Sequence, residues 1–256
     1  MAKRWLMSLA CGLAALGALQ AGAGEAKATT IVALSPMSRS LILIDADKAK
    51  VIKTVRLKGA AALGTLRTIA FNPSDQSIYG MDDFFDLFRI TPETGASKYT
   101  GNIGRFATPT TRMDCARIGT RDSCRFISQD GYFAAFDLPK GDNALVLPGL
   151  NGLLGKRVLG VAYAADLRLL LVEGLTDQLF LVSPPTSGTM VPIGRLGVDV
   201  EAPIAFDVLT TGKKAGGYMI AKRTLHKVNV KSGKTTKGKM IKNLTVDVTD
   251  MVVLED

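Results

Sequence analysis

At 256 residues, with 47% hydrophobic and 21% charged residues, the chain is too apolar for disorder and long enough to bury a sizeable core. Its single Trp and single His exclude propeller repeats marked by Trp and metal centres built from several histidines. The formal charge of +9 is spread over the chain and densest near its C-terminus, and the basic segments lack interleaved aromatic residues, which argues against a nucleic-acid partner.

Residues 1–23 read as a secretory signal, with an alternative end at 28. Lys3 and Arg4 form a positive start, an uncharged apolar run follows from Trp5 to Leu19, and small-residue sites stand at Ala21-Gly22-Ala23 and Ala26-Lys27-Ala28. The apolar run is short of the roughly 20 residues that a membrane span needs. The expected product is a periplasmic or secreted protein without a transmembrane span after cleavage.

Residues 29–256 read as one repeat domain. A strand–turn–strand unit starts at Leu41, Leu87, Phe133, Leu179 and Leu225, a spacing of 46 repeated without deviation. Four residues on from each start stands a small polar residue able to open a turn: Asp45, Thr91, Asp137, Ser183 and Asn229. Two further strands precede four of these units, the first in each case being TIAFNP, MDCARI, LGVAYA or PIAFDV. Each repeat is therefore four short strands, named here A to D. Four antiparallel strands at a period of 40–50 residues predict an all-β, five-bladed β-propeller. The first repeat lacks its own strand A, and the C-terminal VTDMVVLED is a spare one, so the two ends are expected to share a blade and close the ring.

Cys115 and Cys124 lie on strands A and B of the third repeat, symmetric about the GTRD turn. Directly opposed residues on a hairpin are close enough for a disulfide with slight pinching. A disulfide is expected, because the pair is in an exported chain and has neither CxxC spacing nor a neighbouring His.

Phrases such as SIYGMDDFFDLFRITPETGASKYTGNIG resemble an exported bacterial family, domain of unknown function 4394. The matching residues are Ile78-Tyr79-Gly80, Leu87-Phe88, Thr91 to Ala96, Pro184-Pro185 and Ser187 to Met190. The stretch MDCARIGTRDSCRF in the third repeat departs most from that pattern. The resemblance implies export and a propeller-like β fold, and implies no activity and no catalytic residues.

Functional residues are expected on the face carrying the D-to-A and B-to-C loops. A binding or interaction module would use Asp82, Asp83, Phe84, Phe85, Arg105 and Arg112 there, holding a protein, a glycan or a small ligand. The alternative is a glycoside hydrolase-like enzyme with axial carboxylates drawn from Asp114, Glu201 and Asp250. Asp82, Asp83 and Asp86 offer oxygen ligands but do not match a calcium loop, and His226 reads as a strand residue. No phosphate-binding loop opens a helix, so no cofactor and no metal are expected, and the module is expected to be monomeric.

Overall fold

A computed structural model describes residues 28–104, 111–152, 157–210 and 215–255. The expected signal segment and Arg105 lie outside them. Among the described residues there are five sheets, each holding one complete antiparallel A-to-D set, and the second also carries the short Lys58–Gly59 strand parallel to its strand D. The first blade takes strand A from the C-terminus, Asp250–Glu255, and B to D from Thr29–Ser35, Ser40–Asp45 and Lys50–Arg56. Strand B lies between its two neighbours, pairing Thr30 with Leu254 on one side and with Asp45 on the other. The ring is thus closed by the two chain ends, as the spare C-terminal strand predicts.

The second blade runs Leu66–Asn72, Ser77–Asp82, Asp86–Ile90, Ala96–Asn102. The third runs Thr111–Ile118, Arg121–Ser128, Phe133–Asp137, Asp142–Val146. The fourth runs Val158–Tyr163, Leu169–Glu173, Gln178–Val182, Met190–Arg195. The fifth runs Ile204–Leu209, Gly216–Ala221, Thr224–Val228, and a short Lys239–Met240. Strand A of each blade packs beside strand A of the next, so the five A strands surround the axis.

The hydrophobic clusters explain why period-two alternation is weak. Each of the five joins two neighbouring blades: first with fifth, fourth with fifth, second with third, third with fourth, first with second. A sheet covered on both faces has no solvent face along its inner strands, so these read as nearly unbroken apolar runs. Val158–Tyr163 is buried throughout, whereas the outermost Asp142–Val146 is exposed throughout.

Cys115 and Cys124 pair in register across strands A and B of the third blade, and a disulfide joins them over a Cα–Cα distance of 4.0 Å. Both sit in the cluster between the second and third blades, with Phe126 and Phe136.

Candidate functional site

The inner edge of a propeller poses a chemical problem. Strand A pairs on one side only, so its other edge points N–H groups at the axis, where each needs an acceptor. At four of the five junctions a side chain of the preceding blade supplies one. In the first blade, Asp250 Oδ2 accepts the Ile69 N–H of the second at 3.0 Å, and also the Thr68 hydroxyl. Thr68 Oγ1 in turn accepts the Met113 N–H of the third blade at 2.8 Å. Asp114 Oδ2 accepts the Tyr163 N–H of the fourth at 2.6 Å. Asp207 Oδ2, in the fifth, accepts the Val253 N–H of the first at 2.7 Å. The remaining oxygens of Asp114, Asp207 and Asp250 each accept the N–H of the following residue, Cys115, Val208 and Met251.

Three carboxyls are thereby gathered near the axis, and burial dominates their chemistry. Asp250 is 2% exposed and is pushed up to about 6 by desolvation, against the pull of the neighbouring Arg112 and its own hydrogen bonds. Asp207 is 8% exposed and is pushed up to about 7 by desolvation, with the Asp250 charge adding to the rise and the Val253 and Val208 N–H groups opposing it. Desolvation also raises Asp114 well above the usual carboxylate range, with Asp207 as the next cause, although its side chain is partly open to solvent. Arg112 is buried, donates from Nε to the Leu159 carbonyl at 3.1 Å, and is held down by burial against the raising effect of Asp250.

The axial channel opens differently at its two ends. At the A-to-B turn end, a funnel of about 780 Å³ is lined from all five inner strands, with Asp114 and Asp207 toward its base and Arg117 and Glu255 from the strand ends. At the other end, a cavity of about 260 Å³ is lined by Arg67, Arg112, Gln129 and Thr249 among others. The larger opening is therefore opposite the D-to-A and B-to-C loop face on which functional residues are expected from the sequence. Among the described residues, the Arg67 and Arg112 side chains with Pro36 and Pro203 line the smaller cavity at the D-to-A end.

The sequence candidates separate accordingly. Asp114 and Asp250 reach the axis. Glu201 does not: it precedes strand A of the fifth blade, lies on the surface, and pairs with Lys222 at 3.3 Å. Asp207, which sequence reasoning missed, takes its place. The available signal was a lone acid inside the apolar run of PIAFDV, the same kind of position that Asp114 holds in MDCARI.

Asp82 and Asp83 serve the B-to-C turn of the second blade. Asp82 Oδ1 accepts the N–H groups of Phe84 and Asp86 at 2.9 and 3.0 Å, and burial raises its carboxyl despite them. Asp83 is bridged to Arg67. Phe85 is 8% exposed and packs tilted against Phe126, while Phe84 is 70% exposed, so only one of the two aromatic rings is available to a partner. Among the described residues no group of His, Cys, Asp or Glu is arranged to hold a metal ion. His226 is buried on strand C of the fifth blade, with Nδ1 3.4 Å from the Thr236 carbonyl.

A family model described as "Domain of unknown function (DUF4394)" matches residues 40–251. No curated protein is matched. Among solved structures, a chain of a nidogen/laminin complex is 11% identical with TM-score 0.53, over 89% of this chain and 98% of that one. A Bacteroides thetaiotaomicron protein of unknown function is 13% identical with TM-score 0.52, over 88% and 62%. A Xanthomonas campestris gluconolactonase is 13% identical with TM-score 0.50, over 90% and 84%. At these identities the likeness is one of fold.

Proposed function

The chain belongs to the DUF4394 family, and from that premise we propose that it is an exported binding module holding a small ligand, rich in hydroxyl or amine groups, in the wide axial funnel. The observation that carries this reading is the convergence of all five inner strands on one opening of about 780 Å³ with Asp114 partly accessible at its base. That volume lies in the range of about 300–1,000 Å³ common for ligand pockets, and a few converging polar groups in a largely preformed cavity are what such sites use. Burial raises the Asp114 carboxyl, and such a group accepts from a ligand hydroxyl or amine when ionised and donates to one when protonated. Export is supported by the charged-then-apolar start of the chain and is consistent with the Cys115–Cys124 disulfide. No helix among the described residues is long and apolar enough to cross a membrane.

Binding is favoured over glycoside hydrolysis because the oxygens of Asp114, Asp207 and Asp250 are already taken by main-chain N–H groups. A hydrolase needs two carboxyls facing the scissile bond about 5–9.5 Å apart, one of them free to attack or to activate water. The test begins with the full-length gene expressed in a bacterium. Export predicts that the purified protein has lost residues 1–23 or 1–28 by intact mass. Calorimetry and thermal shift against sugars, polyols, polyamines and amino acids should then find a ligand whose affinity falls at least roughly tenfold in Asp114→Asn, the loss expected for one charged hydrogen bond. A ligand indifferent to Asp114→Asn would overturn the funnel as the site. Hydrolysis of chromogenic glycosides abolished by Asp114→Asn would replace the binding reading with the enzymatic one.

A further inference from the structure

We infer that the outer edge of the ring, where the fifth and first blades meet, docks onto an anionic lipid surface. Two basic segments far apart in sequence are joined there. Between Thr224 and Val246 the chain has six lysines and no acidic residue, and from Lys48 to Lys58 it has four lysines and Arg56, again with no acid. The structure stitches them together: the Val51 N–H donates to the Lys242 carbonyl at 3.0 Å, and the Lys242 N–H to the Ala49 carbonyl at 2.9 Å. Lys50 and Lys242 face each other as a parallel bridge. Lys239 Nζ reaches the Asp47 carbonyl across the same seam, 192 residues away in sequence.

The lysines along this edge are exposed. Lys48 is offset by an ion pair with Asp45 at 2.8 Å, but Lys50 and Lys242 form no ion pair among the described residues. Two large apolar side chains stand among them: Ile52 is 59% exposed and Met240 is 66% exposed. Both are on outermost strands, largely uncovered among the described residues. Lysines around exposed aliphatic side chains suit a phosphate-bearing bilayer surface, where cations meet headgroups and the apolar tips enter the acyl boundary. A soluble anionic polymer would use the charges and leave Ile52 and Met240 in water, so the lipid surface accounts for more of what is seen.

The test is co-sedimentation of the full chain with phosphatidylcholine vesicles, with and without phosphatidylglycerol. Binding is expected only with phosphatidylglycerol and should weaken steeply with salt. The triple change Lys50→Glu, Lys239→Glu, Lys242→Glu should lower apparent affinity at least roughly tenfold, as removal of several surface charges from an anionic membrane predicts. Ile52→Ser with Met240→Ser should reduce binding and leave the residue more salt-sensitive. The same lysines changed to Gln give a milder set, and unchanged thermal unfolding shows that each variant is folded. Asp114→Asn, which alters the funnel, should leave vesicle binding intact. The inference is overturned if the triple variant binds as well as the parent. It is also overturned if Lys98→Glu, Lys140→Glu, Arg195→Glu on other blades costs as much, or if a soluble anionic polysaccharide is held and vesicles are not.

Discussion

Four of the inner seams between blades are polar and one is apolar. From first blade to second, second to third, third to fourth and fifth to first, a side chain accepts an N–H from the next inner strand. Between fourth and fifth, no side chain bridges the described inner strands. There Gly160 lies so close to Phe206 that a Cβ on it would stand 2.6 Å from the Phe206 Cβ. In the 46-residue phase, Gly160 occupies the position of Thr68 and Asp114. The contrast teaches that two solutions to one geometric demand coexist in one ring. Four seams place a hydrogen-bond acceptor between the inner strands; in the fifth, where Gly160 has no side chain, Phe206 takes the space.

The largest effect should come from breaking a polar seam. Asp250→Ala removes the acceptor of Ile69 N–H and of the Thr68 hydroxyl together with the carboxyl facing Arg112. Unfolding by denaturant should show a loss of about 3–5 kcal/mol, the range for stripping a buried charge of its partner. Asp250→Asn, which keeps an acceptor, should lose clearly less, and equal losses would show that the hydrogen bonds are not what holds this seam.

Breaking the apolar seam should cost less. Gly160→Val must push Phe206 away, and overpacking of this kind costs typically about 1–3 kcal/mol. A gain in Phe206→Gly, Gly160→Val relative to the sum of the single changes, since glycine removes the Phe206 Cβ that meets the new side chain, would identify the steric cause. Strict additivity would mean that the two residues do not share the strain.

The smallest effect sharpens the comparison through pH. The raised Asp207 and Asp250 carboxyls mean that the folded chain binds more protons than the unfolded one between about pH 4 and 7. Their contribution to stability is therefore present at the acid end and lost as pH rises through about 6 to 7. Asp45, Asp166 and Glu173, which are lowered, act in the opposite sense and only below the ordinary carboxylate range. The melting temperature should be several degrees higher at pH 5 than at pH 8, since about 1 kcal/mol moves a domain of this size by roughly 2–4 °C. Asp207→Asn should narrow the difference, and Gly160→Val, at the seam without a carboxyl, should leave it unchanged.

Much of the fold is legible in the chain because hairpins are local. The structural C strands begin at Ser40, Asp86, Phe133, Gln178 and Thr224, each within one residue of the 46-residue ladder. The cysteine pair is legible for the same reason, since nine residues symmetric about one turn leave little freedom. The candidate site is less so. Asp207 sits one position out of the phase that Thr68, Asp114 and Gly160 share, and so escapes a search by period. Glu201 looks equivalent to Asp250 as a carboxyl just ahead of an apolar strand, yet only Asp250 lies within its strand and turns inward.

By itself, then, the sequence determines the repeat, the order of strands within it, the pairing of Cys115 with Cys124 and the strand that closes the ring. These follow from turn chemistry and apolar runs, which act over a few residues. Only the tertiary structure decides which carboxyls meet, which end of the channel opens, and that lysines 192 residues apart share one edge. Those outcomes depend on how five sheets are set around a common axis, and their neighbours are other blades rather than adjacent residues in the chain.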